Sequence, residues 1–174
     1  DVAHKNGVKV GCLMSIPESE YVVLNPIAPK INSKVLFKIT DMDNRNRFKN
    51  AEKLVKLMKY YGIDGLGVNS EFYTSGGVMT QLMAFFEECH KKAKEIGWEF
   101  QLYWYDGTNE SGSKNFDQGL GDHNKRMFGR KGREVTDMMF ANYGWSERTL
   151  AKSVRTAGEL ERNSYDYYAG FDIQ

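Results

Sequence analysis

The 174 residues carry 24 Lys and Arg against 23 Asp and Glu, a formal net charge of +1, with the basic residues interspersed among acidic ones, so nucleic acid is not an expected partner. With 41% apolar residues the chain can fill one domain-sized core, and no run approaches the ~20 consecutive apolar residues of a membrane span. The two cysteines, Cys12 and Cys89, have neither the CxxC nor the Cys/His spacing of a zinc or redox centre, so no metal and no cofactor is expected.

In chain order, Asp1 to Gly7 reads as the last turn of a helix stopped by glycine, and Val8 to Met14 as a short buried strand. A start inside a helical turn and an end on the apolar and aromatic run from Tyr165 to Gln174 lead us to expect an internal piece of a longer protein. From Ser15 to Asn46 the three prolines, Pro17, Pro26 and Pro29, break the periodicity, and an irregular excursion is expected with a short strand at Val35 to Ile39. Asp41, Asp43 and Glu52 fall on EF-hand positions, but Arg45 and Asn46 stand where a ligand and the turn glycine belong, so a polar loop entering a helix is expected there.

Phe48, Ala51, Leu54, Val55, Met58 and Tyr61 recur at intervals of three and four, the stripe of an amphipathic helix that Gly62 stops. A strand to Glu71 follows, then a helix from about Val78 to Ile96, ended by Gly97, and a strand from Trp98 to Tyr105. Gly107 to Arg133 reads as a long loop, and Met138 to Tyr143 as a strand. Ser146 caps the next helix, without the acidic partner of a full capping box, and Leu150, Val154, Ala157 and Leu160 form its inner face. Tyr165 to Ile173 is the last strand.

Strands and helices alternating four times over predict βαβ units around a parallel sheet, which an open doubly wound sheet and a closed barrel both satisfy. No phosphate-binding glycine fingerprint follows the first strand. Polar and aromatic residues gather just past strand ends, at Asn69 and Glu71, Tyr105 and Asp106, Asn142 to Trp145, and Asp172, where a (β/α)8 TIM barrel keeps its active site. A complete barrel needs ~250 residues. The chain is therefore read as a single catalytic-barrel fragment over residues 1–174, an incomplete middle portion whose flanking strands and helices lie outside it.

The most informative stretch is Gly62 to Glu71. Strand alternation puts Gly65, Gly67, Asn69 and Glu71 on one face and Leu66, Val68 and Ser70 on the other. Glycines in a strand weaken it and mark close approach of a backbone or a ligand, so that face is either a tight core or the floor of a cavity with a carboxylate at its rim. Glu71 has the chemistry of a proton donor to a leaving oxygen. A glycosidase ordinarily needs a second carboxylate, but here the neighbour is the Asn69 amide. An amide suits a 2-acetamido sugar that attacks its own anomeric carbon, the substrate-assisted exception to the two-carboxylate rule. Asn69 would orient the acetamido group, with a tyrosine hydroxyl, Tyr105 being the candidate, as a second clamp. Tryptophans such as Trp104 and Trp145 suit sugar faces. Alternation sets Trp104 opposite Tyr105, so Trp145 is the better placed of the two. His4, His90 and His123 are scattered and read as non-catalytic.

The runs Ala-His-Lys-Asn-Gly-Val-Lys-Val at 3–10, Lys-Tyr-Tyr-Gly-Ile-Asp-Gly with Val-Asn-Ser-Glu within 59–71, Trp-Tyr-Asp at 104–106, Asn-Tyr-Gly-Trp at 142–145 and Tyr-Ala-Gly-Phe-Asp-Ile at 168–173 resemble, in order and over nearly the whole chain, the catalytic barrel of family 85 glycoside hydrolases. These are retaining endo-β-N-acetylglucosaminidases that cut the GlcNAc-β-1,4-GlcNAc core of N-glycans, some of which transfer the glycan to other acceptors. The resemblance implies Glu71 as general acid/base, Asn69 as promoter of acetamido participation, Tyr105 as the tyrosine near that group and Trp145 as a sugar-lining residue. Gly67, Asp106, Asn142, Tyr143 and Asp172 complete the expected substrate-binding set. The family usually reads Asn-Ile-Glu where this chain has Asn69, Ser70 and Glu71; Ser70 faces away, so its effect is expected on packing.

The implied partner is an N-linked glycan or glycoprotein. The expected compartment is secreted, periplasmic or cell-surface for a bacterial protein and cytoplasmic for a eukaryotic one. The alternatives are a chitinase-like barrel hydrolase, whose Asp-rich strand motif is missing here, and a non-catalytic glycan-binding barrel.

Overall fold

The computed structural model describes residues 2–16 and 28–173. After a single helical turn, α1 (Val2–Lys5), Gly7 at φ 71° reverses the chain into β1 (Gly11–Ser15). Then come α2 (Ala28–Ile39), α3 (Ala51–Tyr61), β2 (Gly65–Asn69), α4 (Gly76–Glu95) and β3 (Gln101–Tyr105). The short α5 (Lys125–Phe128) and a two-stranded hairpin of β4 (Gly129–Arg130) and β5 (Arg133–Glu134) precede β6 (Met138–Ala141), α6 (Glu147–Glu159) and β7 (Tyr167–Ala169).

Five strands among the described residues pair in parallel in the order β1-β2-β3-β6-β7. Apart from the excluded hairpin this is strictly sequential order. A doubly wound sheet reverses order at a switch point, so the barrel alternative is the one that fits. Leu66, Leu102, Val68, Trp104, Met139 and Tyr167 lie in register on the helix-facing side and are buried against α3, α4 and α6. The opposite side carries Leu13, Gly67, Tyr103, Tyr105, Phe140 and Tyr168.

Each helix ends for a local reason. Gly62 at φ 67° lets its own amide and that of Ile63 return to Lys59 O and Met58 O, closing α3. The Ser75 hydroxyl accepts from Val78 N at the start of α4. At α6 the Ser146 hydroxyl accepts from Thr149 N, and Thr149 Oγ1 accepts from Ser146 N at 2.9 Å. The capping box is thus complete, with a threonine where the sequence offers no carboxylate.

Several expectations need correction. Residues 28–39 are helix α2 and not an irregular run with a strand at Val35–Ile39. Pro29 falls in the first turn, where the missing N–H costs nothing, and a single buried residue, Leu36, between the outward Val35 and Phe37 mimics strand alternation over a short window. Pro17 and Pro26 lie outside the described residues. Strand β1 is not buried: Leu13 is 69% exposed, because β1 is the edge of the described sheet. On α6 the buried face is Ser153, Thr156 and Ala157, while Val154 points out. Hydroxyls pack there because they find partners, Ser153 Oγ donating to Thr149 O and accepting from Leu120 N, both at 2.8 Å. The loop expected over Gly107–Arg133 contains α5 and β4, and β5 begins at its last residue.

Candidate active site

The glycine-rich face of β2 is part core and part floor. A Cβ on Gly65 would stand 2.4 Å from Tyr103 Cε2, so the aromatic ring occupies that position. A Cβ on Gly67 would meet nothing nearer than Cys12 O at 3.5 Å and Leu13 Cδ1 at 3.6 Å. Packing therefore demands glycine at Gly65 and not at Gly67. Asn69 is the last residue of β2 and Glu71 follows two positions on; both are half-buried, and neither side chain has a hydrogen-bond or ion-pair partner among the described residues.

Glu71 is seated against the end of the next strand. A Cβ on Gly107 would lie 2.6 Å from Ser70 O and 3.4 Å from Glu71 Cγ, so the absence of a side chain there lets the two segments close. Tyr105, last on β3, donates its hydroxyl to Asn142 Oδ1 at 2.7 Å and stacks on Phe140 at 4.9 Å. Burial raises the Tyr105 pKa, and the neighbouring Tyr143 and Glu71 raise it further. The phenol thus stays protonated at neutral pH, as a donor to an oxygen must.

The structure brings Asn69, Glu71, Tyr105, Asn142 and Tyr143 to the C-terminal ends of successive strands. Tyr143 is half exposed, its ring 6.3 Å from that of Tyr105. Trp145 lies farther along, tied down by its indole N–H donating to Gly170 O at 2.7 Å and by an edge-on contact with Phe171 at 5.2 Å. Asp172 is exposed beyond β7, the third strand from β2 in the sheet order.

Asp106 requires a correction. It is only 1% exposed, Oδ1 accepting from Asn124 Nδ2 and Oδ2 from the Tyr167 hydroxyl, both at 2.9 Å. Following Tyr105 along the chain, it points to the opposite, helix-facing side, so it is not a substrate contact. Burial pushes its pKa up to about 6 against the pull of those two donors.

Sequence reasoning missed Phe116, whose ring lies 6.1 Å from that of Tyr105 at a backbone φ of 44°, with Lys114 Nζ 5.6 Å above it. A lone large aromatic inside a Gly, Asn, Ser and Asp loop was its only signal. A hollow of about 440 Å³ lies elsewhere, between α4 and the β4–β5 hairpin over Met83, Ala84 and Val135. Among the described residues no three His, Cys, Asp or Glu side chains converge as metal ligands.

Comparison with known proteins places this geometry in context. The model of glycosyl hydrolase family 85 matches residues 1–174. Cytosolic endo-beta-N-acetylglucosaminidase 1 of Arabidopsis thaliana is 28% identical over 123 residues, 71% of this chain and 17% of that protein. The cytosolic endo-beta-N-acetylglucosaminidase of Homo sapiens is 26% identical over 131 residues, 75% of this chain and 17% of that protein. The glycoside hydrolase domain of Endo-D from Streptococcus pneumoniae R6 superposes with a TM-score of 0.81 at 24% identity, covering 97% of this chain and 26% of that one. The chain thus spans about a sixth of the curated relatives and about a quarter of the solved structure.

Proposed function

The chain belongs to glycosyl hydrolase family 85, and from that premise we propose that it supplies the reacting groups of a retaining endo-β-N-acetylglucosaminidase acting on the GlcNAc-β-1,4-GlcNAc core of N-linked glycans. The observation that carries the proposal is the pairing of an unengaged amide, Asn69, with an unengaged carboxyl, Glu71, at one strand end beside a tyrosine held protonated.

In the first step the acetamido oxygen of the −1 sugar attacks its own anomeric carbon as the bond to the leaving sugar breaks. Glu71 gives its proton to the departing oxygen. Positive charge grows on the acetamido nitrogen, and the Asn69 carbonyl oxygen accepts its N–H, a dipole fixed before the charge appears. The Tyr105 hydroxyl, which donates to Asn142 Oδ1 in the free protein, turns to the acetamido oxygen and holds it for attack. In the second step the Glu71 carboxylate takes a proton from water, the water oxygen bonds to the anomeric carbon and the oxazoline ring opens, with net retention. An acceptor sugar hydroxyl in place of water gives transglycosylation.

Five strands among the described residues are fewer than the eight of a closed barrel, so the remaining strands and the rest of the glycan site belong, on this reading, to the longer protein. Curated relatives named cytosolic accord with a cytoplasmic location for a eukaryotic source. The test uses the full-length protein and a high-mannose glycoprotein. Release of the glycan leaving one GlcNAc on Asn is expected, and Glu71→Gln should abolish turnover while preserving binding. Release unaffected by that substitution overturns the assignment, and release from chitin oligosaccharides alone would favour the chitinase-like alternative.

A further inference from the structure

Glu71 stands two residues beyond Asn69, the last ladder position of β2, and past Val68–Trp104, the last pair between β2 and β3. Its flanking peptide groups must find other partners, since buried N–H and C=O groups left unpaired cost about 1–3 kcal/mol each. Two fully buried hydroxyls, Ser70 and Thr108, meet that need. Ser70 Oγ donates to Tyr105 O and lies 3.4 Å from both Gly107 N and Thr108 N, from which it accepts. Thr108 Oγ1 accepts from Phe72 N at 3.1 Å, and its single proton serves the carbonyls of Ser70 and of Phe72, the latter at 2.6 Å. One threonine hydroxyl therefore touches backbone on both sides of Glu71, and one serine hydroxyl ties the residue between Asn69 and Glu71 to the carbonyl of Tyr105.

Resting on the reading above, in which Glu71 acts on substrate, we propose that Ser70 and Thr108 form a hydroxyl staple that continues the sheet by side chains where its ladder stops, with Thr108 the positioning residue that aims Glu71. Neither hydroxyl reaches the substrate; both act through backbone. A polar staple gives a directional hold that an apolar contact at these positions would not, because hydrogen bonds fix the rotation of the peptides that carry the Glu71 side chain.

The test compares Thr108→Val, which keeps shape and removes the hydroxyl, with Thr108→Ser, which keeps the hydroxyl and removes a methyl, both in the full-length protein on a glycopeptide substrate. For Thr108→Val, kcat should fall roughly 10- to 100-fold with KM within about threefold, the pattern of a misplaced reacting group and not of lost binding. Thr108→Ser should return kcat to within about threefold of the parent. A parental kcat for Thr108→Val, or equal impairment of the two variants, overturns the staple. Where Thr108→Val fails to fold by its thermal melt, Thr108→Ser decides alone, and a kcat loss beyond about tenfold in that variant overturns the proposal. Undiminished release by Glu71→Gln would remove the staple together with the functional reading. A dead Glu71→Gln alongside an unimpaired Thr108→Val would remove the staple alone.

Discussion

The Tyr167 hydroxyl donates to Asp106 Oδ2 at 2.9 Å, joining the first residue of β7 to the residue just past the end of β3, with β6 between the two strands in the sheet. Asn124 holds the other carboxylate oxygen while its own Oδ1 accepts from Gly121 N and its Nδ2 also reaches Gly119 O. One buried acid thereby fixes the residue between Tyr105 and Gly107 and anchors the far end of the loop that carries Phe116.

That acid titrates in an accessible range. Its folded pKa of about 6 lies above the ordinary 3.8, so its favourable contribution is complete below about pH 4 and is lost as pH rises through about 6. The total loss is on the order of 3 kcal/mol. Denaturant unfolding of the full-length protein should show stability falling more steeply between pH 4 and 7 in the parent than in Asp106→Asn. Parallel slopes would assign the titration to another group.

The glycines make opposite predictions. Gly107→Ala drives a methyl into Ser70 O and the Glu71 side chain, and overpacking of this kind costs about 1–3 kcal/mol. The melting temperature should drop and kcat with it. Gly67→Ala has room for its methyl against Cys12 and Leu13, so the fold should keep its melting temperature. Any effect should appear as a higher KM, because the methyl stands on the floor before Asn69. A destabilised Gly67→Ala with a tolerated Gly107→Ala would reverse the assignment of which glycine packing requires.

The role of Asn69 separates from that of Glu71 by substrate. If the proposed mechanism holds, Asn69→Ala should lose hydrolysis of the natural glycan, because the oxazoline would no longer form readily, yet still consume a preformed sugar oxazoline in a transfer assay. Equal loss with both substrates would count against acetamido orientation.

The sequence was most legible where one periodicity dominates. The Ala51, Val55 and Met58 stripe of α3, its Gly62 stop and the two faces of β2 follow directly from side-chain spacing, and so does the outward burial of Trp104, whereas Tyr61, expected on the stripe, is exposed. It was least legible where tertiary partners choose. Asp106 next to Tyr105 looked like a rim residue because a strand end and a carboxylate suggest one, and only Asn124 and Tyr167, 18 and 61 positions away, turn it into a buried hub. On α6 the expected Ala157 and Leu160 do face the core, but Val154 points out and Ser153 and Thr156 were passed over because buried hydroxyls count as polar until their partners are known. Ser70 does face away from the site, but its work is polar and not only packing.

The groups at the rim arrive on strands far apart in the chain: Tyr105 lies 35 positions after Ser70, the neighbour of Asn69 and Glu71, and Asn142 lies 37 positions after Tyr105. No local segment contains the site. Non-local pairing is the slow part of assembly, so on refolding, helix content should recover early, and turnover only when neighbouring strands have locked into register. Enzymatic activity is then a late clock for this protein, one that reads sheet completion instead of collapse.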